Sequence, residues 1–212
     1  MLKNHYFRAF NENRTVKKIC VFCGSSMGCR ASYREAAASL GELIAQSGFE
    51  LIYGGANVGL MKVLADTVMA HGGKVTGVMP HHLISKEVAH PDIDQMHEVH
   101  SMSERKELMV AISDVFLAMP GGFGTLDELA EILTLSQLRI IDKPLGLLNT
   151  ENYFDALLQF LDHGVAEGFV RQEHRQNIFV SKDADELLAM LGNFSPVAIG
   201  KWIDDIKQES QH

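Results

Sequence analysis

The sequence predicts an α/β fold in which a single doubly wound parallel sheet is covered by helices on both faces. Short apolar runs alternate with amphipathic segments of helical length, the pattern of a parallel sheet with crossover helices. The first run, Lys17–Cys23, is continuously apolar after its two lysines, as expected for a strand buried on both faces. Glycine-rich turns follow three of the runs. A chain of 212 residues suits one such domain.

The elements follow in order from these patterns. Strands are predicted at residues 17–23, 51–53, 75–79, 115–119, 145–148 and 178–180, with Val99 in a further short strand. Helices are predicted at about residues 32–46, 60–71, 101–112, 125–138, 153–167 and 183–191. Capping boxes that begin with Ser32, Ser101 and Asp183 mark three of the helix starts. Residues 81–98 have no clear period and are predicted to form a surface excursion.

Composition limits the domain organisation and the classes of partner. We expect an N-terminal extension at residues 1–16, one nucleotide-binding domain at 17–192 and a C-terminal tail at 193–212. The net charge of −8 and the lack of a basic run argue against nucleic acid as a partner. No apolar run approaches the roughly 20 residues that a membrane span needs. The polar N-terminus lacks the apolar core of a signal peptide, so we expect a cytoplasmic protein without a membrane partner.

The cysteines do not predict a metal site. Cys20 and Cys23 have metal-ligand spacing, but they lie in one predicted strand, where residues three apart point to opposite faces. With Cys29 they are expected to be reduced, mostly buried thiols. The histidines are scattered and are expected to be solvated or buried in the core.

The turn after the strand 115–119 is the strongest functional signal. Its sequence, Pro120-Gly121-Gly122-Phe123-Gly124-Thr125, opens a helix. Glycines let a ligand approach the main chain, and the first amides of a helix have no internal partner. Together they predict a phosphate site, although a tight turn alone would also explain the pattern. Similar turns at residues 24–28 and 54–59 also follow strands, and α/β sheets bind ligands at the carboxyl ends of their strands.

Glu128 has two interpretations. It fits a capping box that starts at Thr125, and it also fits a carboxylate held beside a bound phosphate ester. At about 100° per residue, the apolar face expected against the sheet consists of Leu126, Leu129, Ala130 and Leu133. Glu128 then falls between Ile132 and Leu135, two apolar residues directed away from that face. This position predicts a site near the interface of a dimer.

Arg105 and Lys106 lie in the first turns of a predicted helix, where positive charge opposes the helix dipole. A solvated charged face would explain them. The alternative is an arginine that forks onto a phosphate or a ribose.

These motifs together resemble those of the LOG ("Lonely Guy") family of cytokinin riboside 5′-monophosphate phosphoribohydrolases, over about residues 17–190. The similar segments are Pro120–Glu128, the pair Arg105-Lys106, and Tyr53–Met61 with its two adjacent glycines. The resemblance implies a Rossmann-like fold, a homodimer, and hydrolysis of a nucleoside 5′-monophosphate such as AMP to free base and ribose 5-phosphate. Lysine decarboxylase is an older label for the family, but no lysine here lies in a recognisable pyridoxal phosphate motif. No cofactor and no metal are expected.

Site residues are implied by position in the family motifs. Arg105 and Glu128 match the catalytic pair. The expected substrate-binding residues are Gly24, Ser25, Ser26, Gly54, Gly55, Lys106, Gly121, Gly122, Gly124 and Thr125. A non-catalytic nucleotide-binding or carrier protein on the same fold is the alternative function.

The chain also departs from the family pattern. Leu135 stands where tryptophan is common, Arg139 where glycine is common, and Ile141 where histidine is common. Ser103 stands where a histidine is frequent before the Arg-Lys pair. These changes concern the preferred base and the details of the interface rather than the reaction.

Overall fold

A computed structural model describes residues 17–86 and 88–196. Over these residues the chain forms one seven-stranded parallel sheet. Its strands are β1 (Lys18–Phe22), β2 (Glu50–Tyr53), β3 (Lys74–Pro80), β4 (Gln95–Val99), β5 (Val115–Ala118), β6 (Leu145–Leu148) and β7 (Ile178–Ser181). The expected N-terminal extension and residues 197–212 of the expected tail lie outside the described residues.

Eight α-helices of the described chain connect and cover the strands. They are α1 (Ala31–Gln46), α2 (Gly59–Ala70), α3 (His81–Ile84), α4 (Met102–Ile112), α5 (Phe123–Gln137), α6 (Asp155–Ala166), α7 (Gln172–Gln176) and α8 (Ala184–Gly192). A short 3₁₀ turn, Thr150–Asn152, precedes α6. In this part of the chain no helix is both long and apolar enough to cross a membrane.

The strand order is β4-β3-β2-β1-β5-β6-β7. The order therefore reverses at β1, which pairs with β2 on one side and with β5 on the other. This topology confirms the predicted doubly wound α/β fold, and it places a ligand crevice at the carboxyl ends of the central strands.

Two hydrophobic cores cover the two faces of the sheet. One contains buried residues of α1, α2 and α8, and the other contains residues of α4, α5 and α6. Cys23 belongs to the first core and Cys20 to the second, which confirms that they point to opposite faces. Both thiols are buried and free, whereas the free thiol of Cys29 is exposed.

The predicted surface excursion at residues 81–98 is wrong in part. The segment holds the short helix α3 and most of β4, which pairs with β3 along five residues from Gln95 to Val99. β4 is an edge strand with mixed polar and apolar residues, so hydrophobic periodicity does not reveal it. The polar helix α7 was also not predicted, because it is too short to show a period.

At two of the three predicted capping boxes the N-cap bond is confirmed. The hydroxyl of Ser101 accepts from the Glu104 amide at 3.1 Å, and the carboxylate of Asp183 accepts from the Glu186 amide at 2.8 Å. The box at Ser32 is wrong, because α1 begins at Ala31 with Arg30 as its N-cap residue and without a side-chain cap.

The predicted core face of α5 is wrong in part, although Leu129 is buried and Leu133 packs against the core as expected. The buried residues of this helix are Thr125, Glu128, Leu129 and Ile132, whereas Leu126 is 46% exposed and Ala130 is exposed. The prediction assigned burial by apolar character alone. It failed because Glu128 has a charged partner inside the protein, which lets a carboxylate take a position on the inner face.

Candidate active site

The three glycine-rich turns meet at the carboxyl ends of the adjacent strands β2, β1 and β5. The amide of Gly24 donates to the carbonyl of Pro120 at 3.0 Å, which joins the first turn to the third. The amide of Leu60 donates to the carbonyl of Gly24 at 3.0 Å, which joins the second turn to the first. The predicted convergence of the three turns is thus confirmed.

Gly59 allows the second turn to approach the first this closely. Its φ angle is +57°, and a Cβ atom at this position would lie 2.3 Å from the carbonyl carbon of Ser25. Any side chain here would be strained and would also collide with the backbone. Ser25 and Ser26 are exposed beside this contact, at the surface of the crevice.

The third turn delivers the N-terminus of α5 to the same crevice. Gly122 is the N-cap residue, and the first bond of the helix runs from the Leu126 amide to the Gly122 carbonyl at 3.1 Å. The amides of Phe123, Gly124 and Thr125 therefore have no partner within the helix. Together with the positive end of the helix dipole, they form a site suited to a phosphate group.

Beside this site, Arg105 and Glu128 form a buried ion pair. Arg105 Nη1 lies 2.8 Å from Glu128 Oε1, and the two side chains are only 10% and 9% exposed. The Arg105 Nε donates to the carbonyl of Val78 at 3.0 Å, which fixes the plane of the guanidinium. Gly54 provides the space, because a Cβ at that position would lie 2.2 Å from Arg105 Nη2. The turn after β2, together with β3, α4 and α5, thus holds the pair in one arrangement.

Burial controls the electrostatics of this site. It raises the pKa of the Glu128 carboxyl above its ordinary value, while the neighbouring Arg105 acts in the opposite direction. Burial raises the pKa values of the thiols of Cys20 and Cys23, and the charge of Glu128 raises them further. Both thiols are therefore protonated near neutral pH and serve as packing groups rather than nucleophiles.

The capping-box interpretation of Glu128 is wrong. α5 begins at Phe123, two residues before Thr125, and the Glu128 side chain binds Arg105 across the site. Arg105 likewise does not belong to a solvated face, although it lies in the first turn of α4.

Lys106 lies on the outer side of the same two helices. Its Nζ is 3.0 Å from Asp127 and 2.6 Å from Glu131, and its side chain is 19% exposed. The hydrogen bond to Glu131 is the largest cause that raises the pKa of Lys106. With Glu128, Lys106 also lines a cavity of about 10 Å³ between α4 and α5.

Tyr153 is a residue of the site that the sequence analysis missed. Its hydroxyl donates to the carbonyl of Gly121, so it joins the third glycine turn to the segment after β6. The two residues before it, Glu151 and Asn152, have φ angles of +57° and +59°, and an Arg30–Glu151 ion pair of 2.7 Å joins this segment to the first turn. One feature of the sequence could have indicated it. Tyr153 follows strand β6, which lies beside β5, and the carboxyl ends of both strands lie at the same edge of the sheet.

Residues 17–86 and 88–196 contain no group of three or more His, Cys, Asp or Glu that is arranged to hold a metal ion. His90 is buried, and its Nε2 lies 2.9 Å from Asp66 while its Nδ1 accepts from the Asp92 amide at 3.2 Å. Both ring nitrogens of this histidine thus have structural partners.

A family model and the similar proteins of known name agree on one family for this chain. Residues 61–191 match the model of a family described as "Possible lysine decarboxylase". The chain is 44% identical over 180 residues to a rice (Oryza sativa subsp. japonica) protein named probable cytokinin riboside 5′-monophosphate phosphoribohydrolase LOGL5, covering 85% of this chain and 73% of the relative. It is 43% identical over 180 residues to cytokinin riboside 5′-monophosphate phosphoribohydrolase LOG1 of Arabidopsis thaliana, covering 85% of this chain and 84% of the relative.

A solved structure shares the fold at lower identity. It is the molybdenum cofactor binding protein of Rippkaea orientalis, with a TM-score of 0.64 and 23% identity over 82% of this chain and 94% of that chain. This similarity confirms the Rossmann-like fold. The family model and the plant relatives establish that the chain belongs to the LOG family.

Proposed function

We propose that the protein hydrolyses the N-glycosidic bond of a nucleoside 5′-monophosphate and releases the free base and ribose 5-phosphate. The observation that carries this proposal is the buried Arg105–Glu128 pair beside the free amides of α5. The names of relatives that are 43% and 44% identical support it. The protein is then an enzyme, a glycosidase that acts on N-glycosyl compounds.

The 5′-phosphate binds at the N-terminus of α5. Gly121, Gly122, Gly124 and Thr125 surround it with main-chain amides, and the turn at Gly24, Ser25 and Ser26 closes the other side. This group is remote from the bond that breaks. Its binding energy therefore serves to position the ribose over the buried pair.

Glu128 acts on the ribose. When the bond between C1′ and the base nitrogen breaks, positive oxocarbenium character develops on the sugar, and an adjacent carboxylate stabilises it. A water oxygen then bonds to C1′, one of its protons is released, and the departing base nitrogen gains a proton. The ionised form of Glu128 is the active one in this step.

Arg105 has two tasks in this proposal. It keeps Glu128 ionised, since its charge opposes the effect of burial on the Glu128 pKa. Its remaining donors hold a ribose hydroxyl or a phosphate oxygen, as a planar guanidinium does well. Gly54 and Gly55 complete the expected substrate contacts at the edge of the crevice, whereas Lys106, on the outer side, supports the site through its pairs with Asp127 and Glu131.

The substrate is a purine nucleoside monophosphate, with AMP and a cytokinin riboside monophosphate as the two candidates. The relatives are named for the cytokinin substrate. No cofactor takes part in the reaction.

We further propose that the protein is a homodimer in which α5 lies at the interface. Phe123 is 93% exposed, Leu126 46% and Leu138 44%, so large apolar side chains flank both ends of this helix. Such exposure on one helix favours a protein partner. Two buried free thiols also suit a reducing compartment, so the cytoplasm is the proposed location.

Chromatography of the reaction products tests the proposed reaction. The purified protein is incubated with purine, pyrimidine and N6-modified monophosphates, and free base and ribose 5-phosphate are separated and quantified. Equimolar release of both products from at least one monophosphate, and none from the matching nucleoside 5′-diphosphate or from Glu128→Gln, is expected. Binding of a nucleotide without any turnover would instead favour the carrier function.

A further inference from the structure

A second cavity lies at the opposite edge of the sheet from the glycine turns. It has a volume of about 90 Å³ and is lined in part by Leu145 and Ile178, the first residues of β6 and β7. The glycine turns follow the carboxyl ends of the strands, whereas this cavity adjoins amino ends. It is therefore separate from the proposed active site, and the inference below does not depend on the proposed reaction.

Arg139 lines this cavity in an unfavourable backbone conformation. Its φ angle is +57°, a left-handed value that costs free energy for any residue with a Cβ atom. Glycine would fit this position without strain. The residue directly follows the C-cap residue of α5, where a left-handed residue ends many helices, so helix termination explains the backbone and the arginine side chain is the unusual feature.

The Arg139 side chain is also incompletely paired. Its Nη1 lies 2.9 Å from Asp142 Oδ1, but across residues 17–86 and 88–196 its buried Nε has no hydrogen-bond partner. Buried donors are nearly always satisfied, and an unpaired one reduces stability. The strain and the unpaired donor occur at the same residue.

The charged groups around the cavity favour an anion. Lys143 and Arg175 line it together with Arg139, and Asp142 is the acidic residue among the lining side chains. Arg175 is paired outside the lining with Asp162 at 2.7 Å, and the Lys143 Nζ donates to the carbonyl of Val110 at 2.7 Å.

A histidine adds a neutral group to the same wall. Burial lowers the pKa of His174, so the imidazole is neutral near pH 7. Asp142 and Asp162 offset the charges of Arg139 and Arg175, whereas the Lys143 ammonium donates to a carbonyl, so these five groups together carry one positive charge.

Most of the remaining wall is apolar, and this restricts the class of anion. Leu133, Leu161, Val170 and Phe194 join Leu145 in the lining, beside the uncharged polar residues Ser136, Gln137 and Asn177. A fully hydrated anion such as phosphate needs polar partners on all sides, whereas the carboxylate of an organic acid needs them at one end only. A carboxylate on a short apolar body matches both parts of the cavity.

We propose that this cavity binds a small organic acid, whose carboxylate pairs with Arg139 and whose apolar body packs against the leucines. A small rotation of the guanidinium turns its unpaired donor toward the carboxylate. The volume of about 90 Å³ is smaller than the roughly 150 Å³ of an apolar cavity that binds benzene, which suits an acid as small as butyrate.

Thermal unfolding with butyrate tests the proposal, with benzoate and acetate as larger and smaller carboxylates. Butyrate at ten times its dissociation constant is expected to raise the Tm of the wild type by about 3 to 6 °C. Arg139→Gly is expected to lose this shift while its Tm without ligand is at least that of the wild type, because glycine accepts the left-handed backbone. No saturable shift with any of the three acids, or equal shifts in Arg139→Gly, would overturn the proposal.

A second measurement identifies the site directly and does not depend on how Arg139→Gly folds. In ¹⁵N-labelled protein, the Arg139 Nε–H signal is assigned as the one missing from Arg139→Lys. Butyrate is expected to move this signal in the wild type and in Glu128→Gln alike, whereas inorganic phosphate, which binds the glycine turns, leaves it in place. A signal that moves with phosphate and not with butyrate, or with neither, contradicts the proposal.

Discussion

Among the ion pairs that connect helices α4 and α5, Arg105–Glu128 and Lys106–Asp127 are formed by neighbouring residues and differ mainly in burial. Arg105 and Glu128 approach to 2.8 Å with side chains 10% and 9% exposed. Lys106 and Asp127 approach to 3.0 Å, but the Asp127 side chain is 59% exposed. One residue along each helix thus separates an inner pair that faces the glycine turns from an outer pair at the surface.

This comparison bears on why the Glu128 carboxylate is buried. An exposed pair such as Lys106–Asp127 contributes little to stability, about 1 kcal/mol or less, because water screens it. A buried pair has a desolvation cost that its own attraction barely repays, so burial of Arg105 and Glu128 is poorly explained by stability alone. A carboxyl group in a crevice whose pKa is raised by burial is a candidate for chemistry, and Glu128 fits that description.

The largest expected difference lies between the two acidic residues. Glu128→Gln keeps the size of the side chain but removes its charge, so kcat should fall by about 1,000-fold or more. Asp127→Asn removes a charge of the outer pair and should change kcat by less than about 3-fold. Release of free base from AMP, followed by chromatography, measures both. Comparable losses in the two variants would remove the distinction between the pairs.

The next effect concerns the two basic residues. Arg105→Lys cannot bond both Val78 and Glu128 with one ammonium group, so kcat/KM should fall about 100-fold. Lys106→Gln should raise KM by less than about 10-fold, because the lysine is already neutralised by two carboxylates. Steady-state kinetics with AMP give both values. Arg105→Lys should have a lower kcat/KM than Lys106→Gln, and the reverse order would contradict the assigned roles.

A smaller effect is expected at Tyr153, which contacts the third glycine turn and belongs to neither ion pair. Tyr153→Phe removes the hydroxyl that donates to the Gly121 carbonyl, and loss of one such bond should raise KM about 5- to 10-fold with kcat nearly unchanged. The split between KM and kcat distinguishes a positioning role from general destabilisation. The matched control is Phe154→Leu, a change in the neighbouring aromatic residue of the core, which should alter the Tm rather than KM.

The smallest expected effect is that Glu128 and Lys106 contribute to stability in different pH ranges. Burial raises the Glu128 pKa above 4.5, so the folded protein binds a proton at this site more tightly than the unfolded chain. The contribution of Glu128 to stability therefore falls as the pH rises from about 4.5 through the folded pKa. The pKa of Lys106 is also raised, but its contribution is present below about 10.5 and disappears as the pH rises through the folded value.

Carboxyl ¹³C NMR of the ligand-free protein follows Glu128 directly. Its midpoint should lie above 4.5 in the wild type and should rise further in Arg105→Gln, because the arginine holds it down. A midpoint that falls in Arg105→Gln would show that the two groups are not coupled in the way described.

The sequence predicted the glycine turns and the sheet edge at which they meet, because both follow from local rules about strands, turns and helix starts. It did not predict the inner position of Glu128, since the partner of this carboxylate is 23 residues away on another helix. Tyr153 was missed for the same reason, because its bond to Gly121 spans 32 residues. Edge strand β4 was predicted only at its last residue, Val99, because its side chains do not alternate cleanly between polar and apolar.

The central claim is that the inner pair faces the reacting carbon of a bound nucleotide. A crystal structure of Glu128→Gln with AMP tests it most directly. The account predicts the phosphate on the amides of Phe123, Gly124 and Thr125, and the ribose C1′ within about 4 Å of the side chain at position 128. A nucleotide bound with its phosphate elsewhere, or with its ribose turned away from positions 105 and 128, would contradict it.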